Sequence, residues 1–354
     1  MGKKFKFDVV IGNPPYQDEA PGQSTSDKPI YHLFMDAAYE VGNIVELITP
    51  ARFLFNGGGT PKQWNKKMLS DEHMKVIMYE PDAAKVFPNI TFTGGVAVTC
   101  RNSEKNYGPI NTFIAWNELR DICDKVKQHK NFSAISSIIS GRTPYLFTNQ
   151  LHAEHTDAKE KLSKGHQNDI SSNAFTSLTD IFFENEPVNK NDYVRALGRY
   201  GNERVHRWIL RKYVRGREDN FIGKWKVFLP KANGASGMLG EKPARLISKP
   251  EIGEPFDIAT DTFIVVGPVE AENEAQALLK YIKGKFARVL LGALKVTQIN
   301  SRDTWDKVPL QDFTSDSDID WSKSVHEIDL QLYKKYGLDD KEIDFIETHV
   351  KEMD

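Results

Sequence analysis

The sequence predicts an α/β protein with more than one domain. Over about the first hundred residues, short apolar runs typical of strands alternate with segments whose apolar residues have helical spacing. The 354 residues, of which 40% are hydrophobic, are enough for two domains. From about Asn131 the character of the chain changes. We expect a partial, mainly parallel sheet over residues 1–130, a mixed α+β domain over 131–311 and a helical C-terminal tail over 312–354.

The first predicted strand is the apolar run Val9 to Ile11, which ends at Gly12. The tetrapeptide Asn13-Pro14-Pro15-Tyr16 follows at once. Its two prolines fix the backbone and donate no N–H group. Open parallel sheets place their chemistry outside the carboxyl ends of strands, which is where this corner lies.

These four residues suit the methylation of a planar exocyclic amine, whose delocalised lone pair makes it a poor nucleophile. The side-chain oxygen of Asn13 and the carbonyl oxygen of Pro14 are two acceptors that would hold the amine hydrogens. Tyr16 offers a flat face for a substrate ring. The alternative is an ordinary loop, because Asn-Pro and Pro-Pro are also common turn residues.

The tetrapeptide resembles the catalytic motif of the gamma-class amino-methyltransferases, which use S-adenosylmethionine. Asn at its first position resembles the adenine-N6 enzymes, whereas Ser would indicate cytosine-N4. Protein-glutamine and ribosomal-RNA methyltransferases carry the same four residues, so the motif alone does not choose the substrate.

A succession of further segments is similar to the methylase part of the single-chain type IIG restriction–modification proteins. These segments are 29–31, 48–53, 57–59, 68–71, 86–88, 94–96, 141–144, 295–298, 308–313 and 332–338. The resemblance implies a Rossmann-like methyltransferase sheet, a target-recognition domain and double-stranded DNA as partner. In that family an aromatic of the Val-Phe-Pro segment packs against the flipped adenine. Here that residue is Phe87, with Phe92 as the fallback.

Other elements are predicted from apolar spacing. Residues 29–41 and 64–69 read as helices, and residues 44–48, 76–79 and 95–99 as strands. In the first helix we expect Tyr31, Phe34, Met35, Ala38 and Tyr39 to face inward. Gly57 to Gly59 does not join a strand to a helix as a cofactor loop must, so it is predicted to be a flexible loop.

A basic segment extends from Arg195 to Arg217 and contains one acid, Glu203. Tyr200, Trp208 and Tyr213 are interleaved with its cations, and we expect part of it to be helical. Basic side chains there suit DNA phosphates or guanine edges. The predicted DNA-binding residues are Arg195, Arg199, Arg204, Arg207, Arg211, Arg215 and, from a later loop, Lys231. The alternative is a solvated helix with Trp208 in the core.

The tail from Asp312 to Asp354 has a net charge of −8, which leaves +6 on the rest of a chain whose total is −2. This asymmetry permits a polyanionic partner for the body. Val325, Ile328 and Leu332 share one helical face. Gly337 fits a helix stop, and Asp339 with Glu342 resembles a capping box.

The cofactor-binding half of the family has no counterpart here, because only seven residues precede Asp8. Cofactor-binding residues therefore cannot be assigned from the resemblance. We expect the edge of the strand Val9 to Ile11 to be unpaired, and another polypeptide to complete the sheet and the pocket for S-adenosylmethionine.

Several classes of protein are not indicated. No apolar run approaches the roughly 18 residues of a membrane span. Cys100 and Cys123 form no metal or disulfide pattern, no metal site is predicted, and a reduced, cytoplasmic protein is expected. Pro81-Asp82 lacks the acid-x-Lys partner of a nuclease.

Three functions remain open. The first is DNA adenine-N6 methylation within a restriction–modification system. The second is a DNA-recognition module without catalysis, and the third is a protein or RNA methyltransferase. The long chain after Tyr16 argues against the third, whose members usually end soon after the motif.

Overall fold

A computed structural model describes residues 6–18, 28–57, 59–88, 94–141, 143–217, 221–233, 237–240 and 242–353. The chain forms two compact units, Met1–Ala115 and Trp116–Asp354. The predicted α/β class is confirmed. The three-part division at 130/131 and 311/312 stays a prediction.

Among the described residues, the first unit contains six strands and two helices. The strands are β1 (Phe7–Gly12), β2 (Gln17–Asp18), β3 (Lys28–Pro29), β4 (Gly42–Pro50), β5 (Met74–Glu80) and β6 (Val96–Asn102), and the helices are α1 (Tyr31–Val41) and α2 (Lys62–Leu69). Strands β2 and β3 pair with each other.

The main sheet of this unit has the order β1-β4-β6-β5, and it is mostly antiparallel. Strands β1 and β4 are parallel, with Val9 opposite Ile44 and Ile11 opposite Glu46. Strand β6 runs antiparallel to both β4 and β5. The expected mainly parallel sheet is therefore wrong. Helix α1 connects β1 to β4 and carries the chain back to the other end of the sheet, so these two strands are parallel. Between β5 and β6 the described residues contain only a short 3₁₀ turn, Ala83–Lys85. The chain reverses direction there, so β5 and β6 are antiparallel.

Helix α1 packs on β4 through a narrow apolar stripe. Tyr31, Met35 and Tyr39 are buried with Val45 and Leu47 of β4. Phe34, which was expected to face inward, is 44% exposed. Since residues four apart lie on one side of a helix, the 31–35–39 stripe turns Phe34 away from the sheet.

Strand β1 is an edge strand among the described residues, because β4 is its sole partner there. Its apolar side chains alternate to one face, and Phe7, Val9 and Ile11 are 48%, 51% and 75% exposed. The expected unpaired edge with a partly bare apolar face is therefore present. Such an edge is a template for pairing with another segment.

The second unit contains the remaining strands and helices. The strands are β7 (Tyr145–Phe147), β8 (Tyr193–Tyr200), β9 (Glu203–Leu210), β10 (Val214–Gly216), β11 (Trp225–Pro230), β12 (Glu251–Gly253), β13 (Asp257–Ala259) and β14 (Phe263–Val269). The helices are α3 (Asn117–Gln128), α4 (Asn149–Glu154), α5 (Ala158–Lys161), α6 (Ala174–Ser177), α7 (Glu272–Lys283), α8 (Lys285–Gly292), α9 (Val325–Lys335) and α10 (Asp340–His349). The sheets have the orders β12-β11-β14, β13-β8-β9 and β10-β7.

The basic segment is a β-hairpin and not a helix, which corrects the expectation of a helical face. Strands β8 and β9 pair antiparallel from Tyr193 opposite Leu210 to Tyr200 opposite Glu203. Gly201 has a φ of 60°, which suits a tight two-residue turn. Arg204, Arg207, Arg211 and Arg215 therefore lie on two strands and the 3₁₀ turn Arg211–Tyr213 between them.

The C-terminal helices have the predicted capping box at α10 and the predicted stop at Gly337, and α9 has a capping box that was not predicted. Asp339 and Glu342 form a capping box at the start of α10, and Ser324 and Glu327 form another at α9. Gly337, with a φ of 64°, follows the end of α9. No helix in the described ranges is long and apolar enough to cross a membrane.

Lys226 of β11 is fully buried. Its ammonium donates to the carbonyl oxygens of Ile222 and Asp257 at 3.1 and 3.0 Å. Burial lowers the pKa of Lys226 from its ordinary value near 10.5 to about 7. Between these two pH values the folded chain binds fewer protons than the unfolded chain, so the free energy of unfolding rises with pH there.

We expect Lys226→Met to remove this contribution. Between pH 7 and 9 the free energy of unfolding of the wild type should rise by about 2 kcal/mol more than that of the variant. Burial also lowers the pKa of Lys295, to about 8, but that contribution is common to both proteins and cancels. Urea denaturation at the two pH values measures the difference, and an equal rise in both proteins would contradict the assignment.

Candidate active site and basic surface

The corner Asn13 to Tyr16 follows the carboxyl end of β1 and is hydrogen-bonded to the start of α1. The carbonyl oxygen of Tyr16 accepts hydrogen bonds from the backbone N–H groups of Ile30 and Tyr31, at 3.1 and 3.4 Å. These N–H groups have no partner within a helix, so the corner satisfies them. The sequence indicated the corner but gave no sign of this anchor.

Asn13 is exposed and Pro14 is partly exposed, so a ligand can approach the corner from solvent. Two prolines in succession, with the anchored carbonyl after them, leave the backbone little freedom. The corner is therefore rigid and open to solvent.

The rings of Tyr16 and Phe87, for which base stacking stays a prediction, lie near each other. Their centroids are 6.3 Å apart and their planes meet at 70°, an edge-to-face arrangement. Phe87 is held by a hydrogen bond from its N–H to the carbonyl of Ala83, at 2.8 Å. The fallback residue, Phe92, lies outside the described residues.

Tyr16 is a poor base near neutral pH. Burial raises the pKa of Tyr16 to about 12, so its phenol stays protonated. Both cysteines are buried and free of disulfides. Cys123 lies on α3 of the second unit, and burial raises the pKa of its thiol to about 12. The Tyr16 phenol is therefore not a general base at this corner.

A cradle for S-adenosylmethionine would need a strand, a Gly-rich turn and a helix in direct succession. Strand β4 instead enters a 3₁₀ turn, Ala51–Phe55, and α2 begins later, at Lys62. Gly57 and Gly59 lie between these two elements, and Gly58 of the predicted loop lies outside the described residues. The residues that the structure describes in this unit therefore do not fit the cofactor.

Metal ligands are also absent from the part of the chain that the structure describes. No group of three or more His, Cys, Asp or Glu side chains there is placed to hold an ion.

The predicted DNA-binding residues separate into two sets by their partners. Arg195 forms a two-pronged ion pair with Asp257, and Arg204 lies 3.5 Å from Glu251. Lys231 pairs with Asp261. These three cations are already partly neutralised within the protein, which lowers their value as phosphate ligands.

Arg207 is buried, which corrects its expected place on a DNA-binding surface. It is 5% exposed, pairs with Glu184 at 2.7 Å and lies over the ring of Tyr200. Its position in β9 turns its side chain inward, because side chains alternate along a strand. We assign it a packing role.

Arg199, Arg211 and Arg215 are exposed and have no acidic partner among the described residues. Arg199 contacts the carbonyl oxygen of Asn202, and Arg211 lies 4.4 Å over the ring of Phe256. These three remain the basic side chains of the predicted set that are available to an anion.

The corner lies within a segment of the chain that matches a known protein family. Two solved structures share low sequence identity with the chain: the type IIG restriction endonuclease BpuSI (10% identity, TM-score 0.37) and the type IIL restriction-modification enzyme MmeI in complex with DNA (11%, 0.37). The alignments cover 91% and 96% of this chain but 48% and 56% of the two structures, so the chain spans about half their length. No curated protein sequence matches it. Residues 1–87, which include the corner and Phe87, match the family described as Eco57I restriction-modification methylase.

Proposed function

We propose that this chain carries the base-methylating site of a DNA adenine-N6 methyltransferase in a restriction–modification system. One observation supports this above the others. The rigid Asn13 to Tyr16 corner stands at the carboxyl end of β1 with the ring of Phe87 beside it, inside the segment that matches a methylase family.

In this proposal the corner holds the adenine amino group. The side-chain oxygen of Asn13 and the carbonyl oxygen of Pro14 accept hydrogen bonds from the two N6 hydrogens. These bonds favour a more tetrahedral nitrogen, whose lone pair is then available to a methyl donor. The N6 proton that is lost goes to water, because the phenol of Tyr16 stays protonated.

The two aromatic rings receive the base. An adenine inside a duplex cannot reach the corner, so it is flipped out at a cost of a few kcal/mol. Tyr16 supplies a face for stacking and Phe87 contacts the base at its edge, in keeping with their 70° interplanar angle. Stacking on an aromatic side chain returns about 1–3 kcal/mol per base.

The test uses a preparation of this chain that binds S-adenosylmethionine, with any co-purifying polypeptide included. It measures transfer of labelled methyl groups to three acceptors: duplex DNA, tRNA and a peptide-release factor. We expect label in the DNA and none above background in the others. Label in tRNA or in the protein acceptor would replace this function with the third alternative.

The exposed edge of β1 supports a second part of the proposal. We assign the cofactor site to a polypeptide that pairs with β1 and covers Phe7, Val9 and Ile11. A parallel strand there would satisfy the free backbone groups, and an element of the same polypeptide packed on the exposed face would bury the apolar side chains.

Calorimetric titration of S-adenosylmethionine into the purified chain alone examines this part. We expect no binding in the micromolar range. Clear one-to-one binding would show that the chain has a complete pocket, and would remove the need for the second polypeptide.

A DNA-recognition module without catalysis is the second candidate. It is favoured by one observation, the lack of a cofactor cradle in the described residues of the first unit. Its signature is sequence-specific DNA binding that is never accompanied by methyl transfer, even in a preparation that binds S-adenosylmethionine.

A further inference from the structure

The segment Glu254 to Asp257 in the second unit is a tight turn that displays an aromatic ring. The N–H of Asp257 donates to the carbonyl of Glu254 at 3.0 Å, which closes a four-residue turn. Pro255 is its second residue, and Phe256 is its third, with a φ of 71°. Proline followed by a positive φ is typical of a type II turn, in which the third residue is usually Gly or Asn.

Phenylalanine is an unfavourable choice at this position, because a side chain with a Cβ atom strains the left-handed backbone. The ring does not gain burial in return, since Phe256 is 40% exposed. Strain that folding does not explain is frequently associated with function.

The surrounding contacts keep the turn in place. The backbone N–H of Phe256 donates to the carbonyl oxygen of Ile222 at 2.7 Å. The carbonyl oxygen of Phe256 accepts from the backbone N–H of Arg195 at 3.2 Å. The carboxylate of Asp257 accepts from the N–H of Glu254 at 3.0 Å and forms the two-pronged pair with Arg195. Arg195, predicted to bind DNA directly, therefore acts here by holding the turn.

Phe256 separates two adjoining grooves of about 930 and 450 Å³. Arg211, which also lines both grooves, lies with its guanidinium 4.4 Å from the centre of the ring. The larger groove is basic, with Arg211, Lys212 and Arg215 against one acid, Asp192.

The two arginines of the larger groove have no acidic partner in the described ranges, whereas Lys212 is paired with Glu154 at 2.6 Å. Uncompensated guanidinium groups beside an exposed aromatic face are the combination that binds a nucleic-acid strand. The cations contact phosphates and the ring stacks on a base or wedges against one.

We propose that the larger groove and Phe256 form a DNA-backbone site of the second unit. Arg211 and Arg215 hold phosphates of duplex DNA, and Phe256 contacts the adjacent bases. This inference rests on DNA being the substrate, as in the proposed function.

The test is binding of a labelled 30-base-pair duplex of mixed sequence to the whole chain, measured by fluorescence anisotropy at several salt concentrations. Arg211→Gln and Arg215→Gln should each weaken binding about five- to tenfold and reduce the slope of log affinity against log salt by about 1. Phe256→Gly should weaken binding by at least about fivefold and leave the slope unchanged, because it removes stacking and no charge.

Two controls separate recognition from folding. Arg302→Gln removes an exposed arginine at another place in the second unit and should bind as the wild type does. Phe256→Gly suits the positive φ, so it should fold at least as stably as the wild type, and a lower melting temperature would indicate a structural role for the ring.

Each failure has a distinct meaning. If the wild type binds the duplex and all three variants match it, this inference is wrong while the proposed function stands. If the wild type does not bind DNA, the proposed function fails and this inference fails with it. Tighter binding of a matched RNA duplex would overturn DNA as the occupant of the groove.

Discussion

Asn13→Ala is expected to lower methyl transfer to DNA by about 10²- to 10³-fold, the range for losing one preorganised polar contact in an active site. The substitution removes the side-chain oxygen that receives an N6 hydrogen, while Pro14 and the anchored carbonyl of Tyr16 keep the corner in shape. Affinity for DNA should stay within about twofold, because phosphate contacts made elsewhere supply most of it.

Labelled methyl transfer and duplex binding, measured on the same preparations, check both halves of this expectation. Asn273→Ala is the matched control, since Asn273 is exposed on α7. Retained transfer in Asn13→Ala would exclude the assigned role. Loss of transfer and of DNA binding together would point to misfolding instead of chemistry.

Gly95→Ala is expected to destabilise the first unit by about 3–5 kcal/mol, because overpacking and backbone strain add at this position. A Cβ atom on Gly95 would lie 2.1 Å from the carbonyl oxygen of Glu80 and 2.6 Å from Cα of Pro81. Both are backbone atoms and cannot move aside as a flexible side chain would. Gly95 also has a φ of 70°, and its carbonyl accepts from the N–H of Ala51.

Gly108→Ala separates the two causes. Its φ of 76° is similar, but no atom lies within 4 Å of the Cβ position, so only the backbone strain of about 1–2 kcal/mol applies. Hydrogen exchange of peptides from β5 and β6 reports on this unit directly. Equal losses of protection in the two variants would contradict the close approach at Gly95.

The first strand and its corner could be predicted because their signals are local. Val9 to Ile11 is β-branched, and two adjacent prolines define a corner whatever surrounds them. The pairing of Tyr16 with Phe87 followed from family resemblance, since no local rule connects residues so far apart in sequence. The anchor at Ile30 and Tyr31 depends on tertiary placement and left no signal.

The helix predicted for the basic segment is wrong because its arginines have the spacing of a helix face although the segment forms strands. Arg207, Arg211 and Arg215 are four residues apart, as on one helix face. The competing signal was present in the alternation of Tyr193, Val194, Arg195 and Ala196 and in the Gly201-Asn202 turn. The antiparallel strands of the first sheet could not be predicted, because strand direction depends on which connections contain a helix.

Burial and charge pairing decide which of the basic residues are available to a ligand, and the sequence specifies neither of them. Nothing in the sequence distinguishes Arg207 from Arg211. In the structure Arg207 is buried against Glu184, whereas Arg211 lies over the exposed ring of Phe256. The sequence gives no signal at Phe256, because a Pro-Phe dipeptide is common and matches no motif. Its importance follows from a backbone angle and from the groove beside it.

The most direct test of the central claim is the identity of the methylated nucleoside. Duplex DNA is incubated with S-adenosylmethionine and a preparation of this chain that binds the cofactor, with any co-purifying polypeptide included. The DNA is then digested for mass spectrometry. The proposed function predicts N6-methyl-2′-deoxyadenosine, which should be absent when Asn13 is replaced by Ala. N4-methyl-2′-deoxycytidine, or no methylated nucleoside from a preparation that binds both cofactor and DNA, would contradict it.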